Sequence, residues 1–84
     1  MNRIEWSHKA ARQLLKLEQP IQRRIRDGVE GLESFPATAN IKRLVDHQYP
    51  YRLRVANYRV FFEFHGTVRI VTIEEIRKRD EHTY

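Results

Sequence analysis

The chain has 84 residues, no cysteine, and 16 lysines and arginines against 11 aspartates and glutamates, a formal charge of +5. This excludes a disulfide framework and a thiolate zinc site, and no apolar run approaches the roughly 18 residues that span a bilayer. One small domain, residues 1–84, is expected to be soluble and cytoplasmic, because MNRIEWSHK lacks the apolar core of a signal peptide.

Arg3 to Trp6 alternates weakly and reads as a short first strand, and Ser7 is placed to cap a helix. From His8 to Leu17 the positions Ala10, Ala11, Leu14, Leu15 and Leu17 follow a helical period. Glu18-Gln19-Pro20 breaks that helix, and Pro20 suits the first turn of the next. Ile21, Ile25, Val29 and Leu32 then form one apolar stripe. Gly28 and Gly31 weaken this second helix by up to about 1 kcal/mol each, a cost that close packing against the sheet or the first helix would explain. The helix is expected to stop near Ser34, because Pro36 restricts Phe35. Two helices with so short a link make an antiparallel pair.

Ile41 to Val45 reads as a strand or an extended approach. Tyr51 to Phe64 is the clearest stretch: Tyr51, Leu53 and Val55 alternate with Arg52 and Arg54, then Tyr58, Val60, Phe62 and Phe64 alternate with Arg59 and Glu63. Ala56-Asn57 fits a two-residue hairpin loop, since Asn tolerates positive φ. That register sets Arg54 against Arg59, with Arg52 on the same face. A further strand from Val68 to Ile76 places Val71 and Ile73 with the core and Phe61, Val68 and Ile70 on the arginine face. The expected fold is α+β in two layers: an N-terminal strand and a helical hairpin packed on one face of a mostly antiparallel sheet, in the order β-α-α-β-β-β. The other face, carrying the arginines and an apolar area, is left open for a partner.

His8, His47, His65 and His82 lack ligand spacing, so neither a metal site nor a cofactor is expected. The basic set of Arg52, Arg54, Arg59, Arg77, Lys78 and Arg79, with His82 and Tyr84 behind it, suits RNA cleavage. RNA brings its own nucleophile, the 2′-OH. The protein must then stabilise charge on the phosphate and move protons. Arginines do the first through bidentate contacts and are poor at the second. His82 and Tyr84 are better proton carriers, and a row of cations lowers the pKa of a nearby tyrosine. The same residues also read as a solvated face and tail, with Glu74 opposite Arg59 as a partner.

The phrases Tyr51-Arg-Leu-Arg-Val and Asn57-Tyr-Arg-Val-Phe-Phe-Glu, with the closing Arg79-Asp-Glu-His-Thr-Tyr84, resemble the RelE/ParE superfamily of bacterial type II toxins over nearly the whole chain. The paired helices, the Phe35-Pro36 exit and the Lys42 to Leu44 stretch belong to the same resemblance. Its RelE branch implies an mRNA interferase that cuts message in the ribosomal A site by metal-independent 2′-OH attack and is neutralised by an antitoxin. On that resemblance Arg59 and Arg79 stabilise the phosphate as catalytic residues, with His82 or Tyr84 moving protons. Arg52, Arg54, Arg77 and Lys78 bind RNA. Phe61, Val68 and Ile70 meet the antitoxin. This chain has arginines where that branch has two strand lysines, which removes a deprotonated lysine as the base. The alternatives are a ParE-like gyrase inhibitor without nuclease activity and an inert interaction domain.

Overall fold

In the computed structural model, which describes residues 1–79, strand β1 (Arg3–Trp6) leads into helix α1 (His8–Leu15) and helix α2 (Gln19–Glu30), extended by a 3₁₀ turn (Gly31–Ser34). Strands β2 (Ile41–Arg43), β3 (Tyr51–Val55), β4 (Tyr58–His65) and β5 (Ile70–Lys78) follow. They form one five-stranded sheet in the order β1-β5-β4-β3-β2, with β1 parallel to β5 and every other pair antiparallel. The α+β expectation holds, and Ile41–Arg43 adds the short strand that the sequence left open. Among the described residues no helix is long and apolar enough to cross a membrane.

Ser7 caps α1 as expected: its hydroxyl accepts from Ala10 N–H and donates to the Glu74 carbonyl, 3.0 Å in each case. The helix stops at Leu15 rather than Leu17 because the amide of Gln22, a buried residue, satisfies the carbonyls of Leu15 and Leu17 at 3.4 and 2.8 Å. That is a helix terminus capped from the next helix. Of the two glycines expected in the second helix, Gly28 is explained by contact: a Cβ there would lie 2.9 Å from Val55 Cγ2 and 3.5 Å from Leu53 Cδ2 on β3. Gly31 has nothing within 4 Å of a Cβ, so packing does not account for it.

The helices cover one face of the sheet. Ala10, Leu14, Ile25, Val29 and Leu32 meet Leu53, Val60, Phe62, Val71, Ile73 and Ile76 in a single core. Phe35 seals one end with edge-on contacts to Tyr51, Phe62 and Phe64 at 5.0, 5.4 and 4.9 Å between centroids. Because β1 pairs only with Ile70 to Ile73, the far half of β5 would be a bare edge. Helix α1 covers it: the Gln13 side-chain oxygen accepts from Ile76 N–H at 2.6 Å.

The β3–β4 hairpin has the expected register, Val55 opposite Tyr58 and Arg54 opposite Arg59. Its positive φ falls on Ala56 (53°), not on Asn57. A left-handed backbone costs a residue with a Cβ roughly 1–2 kcal/mol, and glycine returns about 0.4–1 of this through unfolded-chain entropy. Ala56→Gly should therefore raise stability by about 0.5–1 kcal/mol, read as a higher urea midpoint. Strand β5 starts at Ile70 rather than Val68 because residues 66–69 form a turn, closed by Arg69 at φ 54°.

Candidate nucleic-acid interface

Pairing along the sheet assembles the cations. Arg54 faces Arg59 across β3 and β4, and Arg59 faces Arg77 across β4 and β5, so three arginine positions stand in one row, with the Arg77 guanidinium turned to Glu75 and the Phe61 ring. The next row on this face reads Lys42, Arg52, Phe61 and Glu75. Arg52, Arg54, Arg59 and Arg79 line a single cleft of about 110 Å³ with Ala56, Asn57 and Tyr58. Arg79 reaches it because its N–H donates to the Asn57 carbonyl at 2.6 Å, drawing Arg79 against the hairpin loop.

The structural alternative placed Glu74 opposite Arg59. Two features remove that pairing: the four-residue turn at 66–69 sets Phe62 opposite Ile73, and a bulge between Phe61 and Phe62 shifts the register once more, so Phe61 faces Glu75 and Arg59 faces Arg77. Neither Arg54 nor Arg59 forms an ion pair among the described residues. Like charges directly opposed on a sheet destabilise it, and an anion laid across the row would offset that repulsion.

The other expected site residues divide. Arg77 joins the row in register, whereas Lys78 faces Tyr58 and is not among the residues that line the cleft. His82 and Tyr84 lie outside the described residues. Phe61 corrects the open apolar patch: it is 3% exposed, covered by His47 and Tyr49, whose rings stack on it at 5.0 and 5.5 Å. The residues between β2 and β3 fold over it, which strand periodicity does not reveal. Val68 is 61% exposed in the turn before β5, and Ile70 is half-buried at the start of that strand.

The family model for the ParE toxin of the type II toxin–antitoxin system parDE matches residues 4–83. The chain belongs to the ParE toxin family. Its fold is also that of RelE toxins. It is similar to the RelE–RelB complex of the archaeon Pyrococcus horikoshii (TM-score 0.81, 20% identity, 95% of this chain and 97% of that one). The isolated E. coli RelE toxin gives a TM-score of 0.81 at 13% identity, over 99% of this chain and 89% of that one. The RelBE2 toxin–antitoxin complex of Mycobacterium tuberculosis gives 0.78 at 20%, over 93% and 98%. No curated protein matches the sequence.

Sequence reasoning missed how this ParE-family chain holds Arg77. Glu75 is 4% exposed and takes three donors: the Tyr49 hydroxyl at 2.8 Å and Lys9 Nζ at 3.1 Å on Oε1, and Arg77 Nε on Oε2. Arg77 also lies over the Phe61 ring, 5.7 Å from its centroid. Burial alone would push the Glu75 carboxyl up. Hydrogen bonds from Arg77, Tyr49 and Lys9 outweigh it and bring the pKa down from 4.5 to about 2. Burial, then the bond to Glu75, raises the Tyr49 hydroxyl, and the bond to Glu75 raises Arg77. The sequence signal was the Glu74-Glu75 pair inside a strand whose Val71, Ile73 and Ile76 are core residues.

A depressed carboxylate contributes stability that is complete above its unfolded value and lost as the pH falls through its folded one. The Glu75 contribution should therefore disappear as the pH drops from 4.5 to about 2. Glu75→Gln should cost about 1–3 kcal/mol near neutrality, at the lower end because Lys9 and Arg77 are half-exposed and rehydrate. Unfolding followed against pH should show that acid loss in the parent and a flatter profile in the variant.

Proposed function

We propose that this ParE-family chain is a type II toxin of the ribosome-dependent kind, an endoribonuclease that cuts message in the ribosomal A site. The observation that carries this reading is the in-register row Arg54–Arg59–Arg77, with Arg52 and Arg79 completing the adjoining cleft. In the proposed reaction the 2′-oxygen attacks the neighbouring phosphorus as its proton passes to a base, and the P–O5′ bond breaks as O5′ takes a proton from an acid. A 2′,3′-cyclic phosphate and a 5′-hydroxyl result. Arg59 and Arg79 stabilise the charge gathering on the phosphate oxygens, and Arg52 and Arg54 hold the strand on either side. Arg77 extends the same grip. Proton transfer is assigned to Tyr84 or His82, since guanidiniums do not titrate in the working range. The ribosome supplies the orientation that so small a site lacks, an effect that can reach several kcal/mol of the barrier.

An antitoxin is the expected protein partner, as RelB is for the RelE toxins in the similar complexes. Its acidic groups would pair with the arginines. Of the three apolar positions expected to meet it, Val68 and Ile70 remain accessible, whereas Phe61 is already covered. Action on ribosomes would be cytoplasmic.

The ParE family match favours a second reading, inhibition of DNA gyrase without nuclease activity. Pulse labelling after induction separates the two. Amino-acid incorporation should fall first under the nuclease reading. Early loss of thymidine incorporation with a DNA-damage response, translation continuing, would select the gyrase reading.

A further inference from the structure

Beside the arginine row lies an aromatic stack that the proposed chemistry does not use. Phe61 is its buried base, Tyr49 lies against it at 5.5 Å and 28°, and the exposed His47 stacks on it at 5.0 Å with only 19° between ring planes. The imidazole is fixed a second time: its Nδ1 accepts from Tyr49 N–H at 3.0 Å. A ring that accepts at Nδ1 carries its proton on Nε2 and is a neutral donor there. Two constraints thus hold an exposed aromatic ring flat on the open face. Covering Phe61 would need only an apolar side chain and no fixed orientation.

Position gives the stack a meaning. Phe61 sits directly across from Arg52, one row from Arg54, Arg59 and Arg77 on the same face. Alternate rows on a sheet face lie about 7 Å apart, comparable with the reach of a nucleotide from its phosphate to its base. Single-stranded RNA is gripped in this way by proteins that pair a cationic track with aromatic faces.

We propose that the His47 imidazole is a stacking platform for a base of single-stranded RNA whose phosphate lies on the arginine row. This rests on the reading of that row as an RNA site. The platform is tolerant of base identity, because every base has a π-face, and Nε2–H adds one donor to whatever lies beside it.

The test is an NMR titration of the whole protein with a short 2′-O-methyl oligoadenylate, which lacks the 2′-hydroxyl nucleophile and stays intact. The same backbone carrying abasic riboses serves as control. The His47 ring protons should move upfield with the oligoadenylate and hardly at all with the abasic strand. His47→Ala should weaken binding about 5- to 150-fold, and His47→Phe, which keeps the face and loses both nitrogens, should bind close to the parent. Oligoadenylate that moves the arginine signals and leaves the His47 ring unchanged overturns the platform while sparing the phosphate site. The platform also fails if His47→Ala, folded by its melting curve, binds like the parent. RNA that the parent does not bind at all overturns the platform, while the nuclease reading, in which the ribosome supplies the orientation, stands or falls on cleavage in the translation system.

Discussion

Arg59→Ala should reduce message cleavage about 10²–10³-fold, the loss typical of removing one preorganised donor to a developing anion, and should leave the fold as stable as before. Arg59 sits in the middle of the row, opposed by Arg54 on one strand and Arg77 on the other. Among the described residues it has no carboxylate partner whose loss could destabilise the protein. Removing it relieves like-charge repulsion with Arg54, Arg77 being already paired with Glu75, so stability should hold within about 0.5 kcal/mol or rise slightly. A side chain that strains the sheet it stands on is explained by a ligand rather than by the fold. Cleavage in translation extracts and urea unfolding, run on the same preparation, check both halves. A melted Arg59→Ala protein would make the residue structural, and full cleavage would take it out of the phosphate site.

The second large effect lies on the other face of the same strand. Phe62→Ala should cost about 3–5 kcal/mol, most of the stability of a domain this small. Phe62 is fully buried, stacks on Tyr51 at 5.3 Å and receives the edge of Phe35 at 5.4 Å. None of these rigid neighbours can swing into the space without giving up another contact, so a cavity remains. Equilibrium urea unfolding measures the loss. A cost below about 1 kcal/mol would mean that the Phe35–Tyr51 cluster collapses into the gap.

These residues also show what the chain displays openly. The β3–β4 register follows from alternation and a two-residue loop, so the core face and the Arg54–Arg59 pairing were legible. The bulge in β5 was not. Glu74 and Glu75 are adjacent carboxylates, and nothing local says which one turns inward. That depends on Lys9 and Tyr49, brought in from two distant segments, and on Arg77 two residues along the same strand. The open face was misread for a related reason. Exposure of Phe61 depends on whether the residues after β2 fold back over it, and His47 and Tyr49 carry no periodic signal. Lys42 likewise enters the second row only through its pairing with Arg52.

The most direct test of the nuclease reading is a primer-extension map of a defined message in a purified translation system, with and without this protein. In-frame ends at A-site positions, absent when ribosomes are left out, are the predicted result. An intact message at protein levels that still arrest growth would contradict it and leave gyrase as the target.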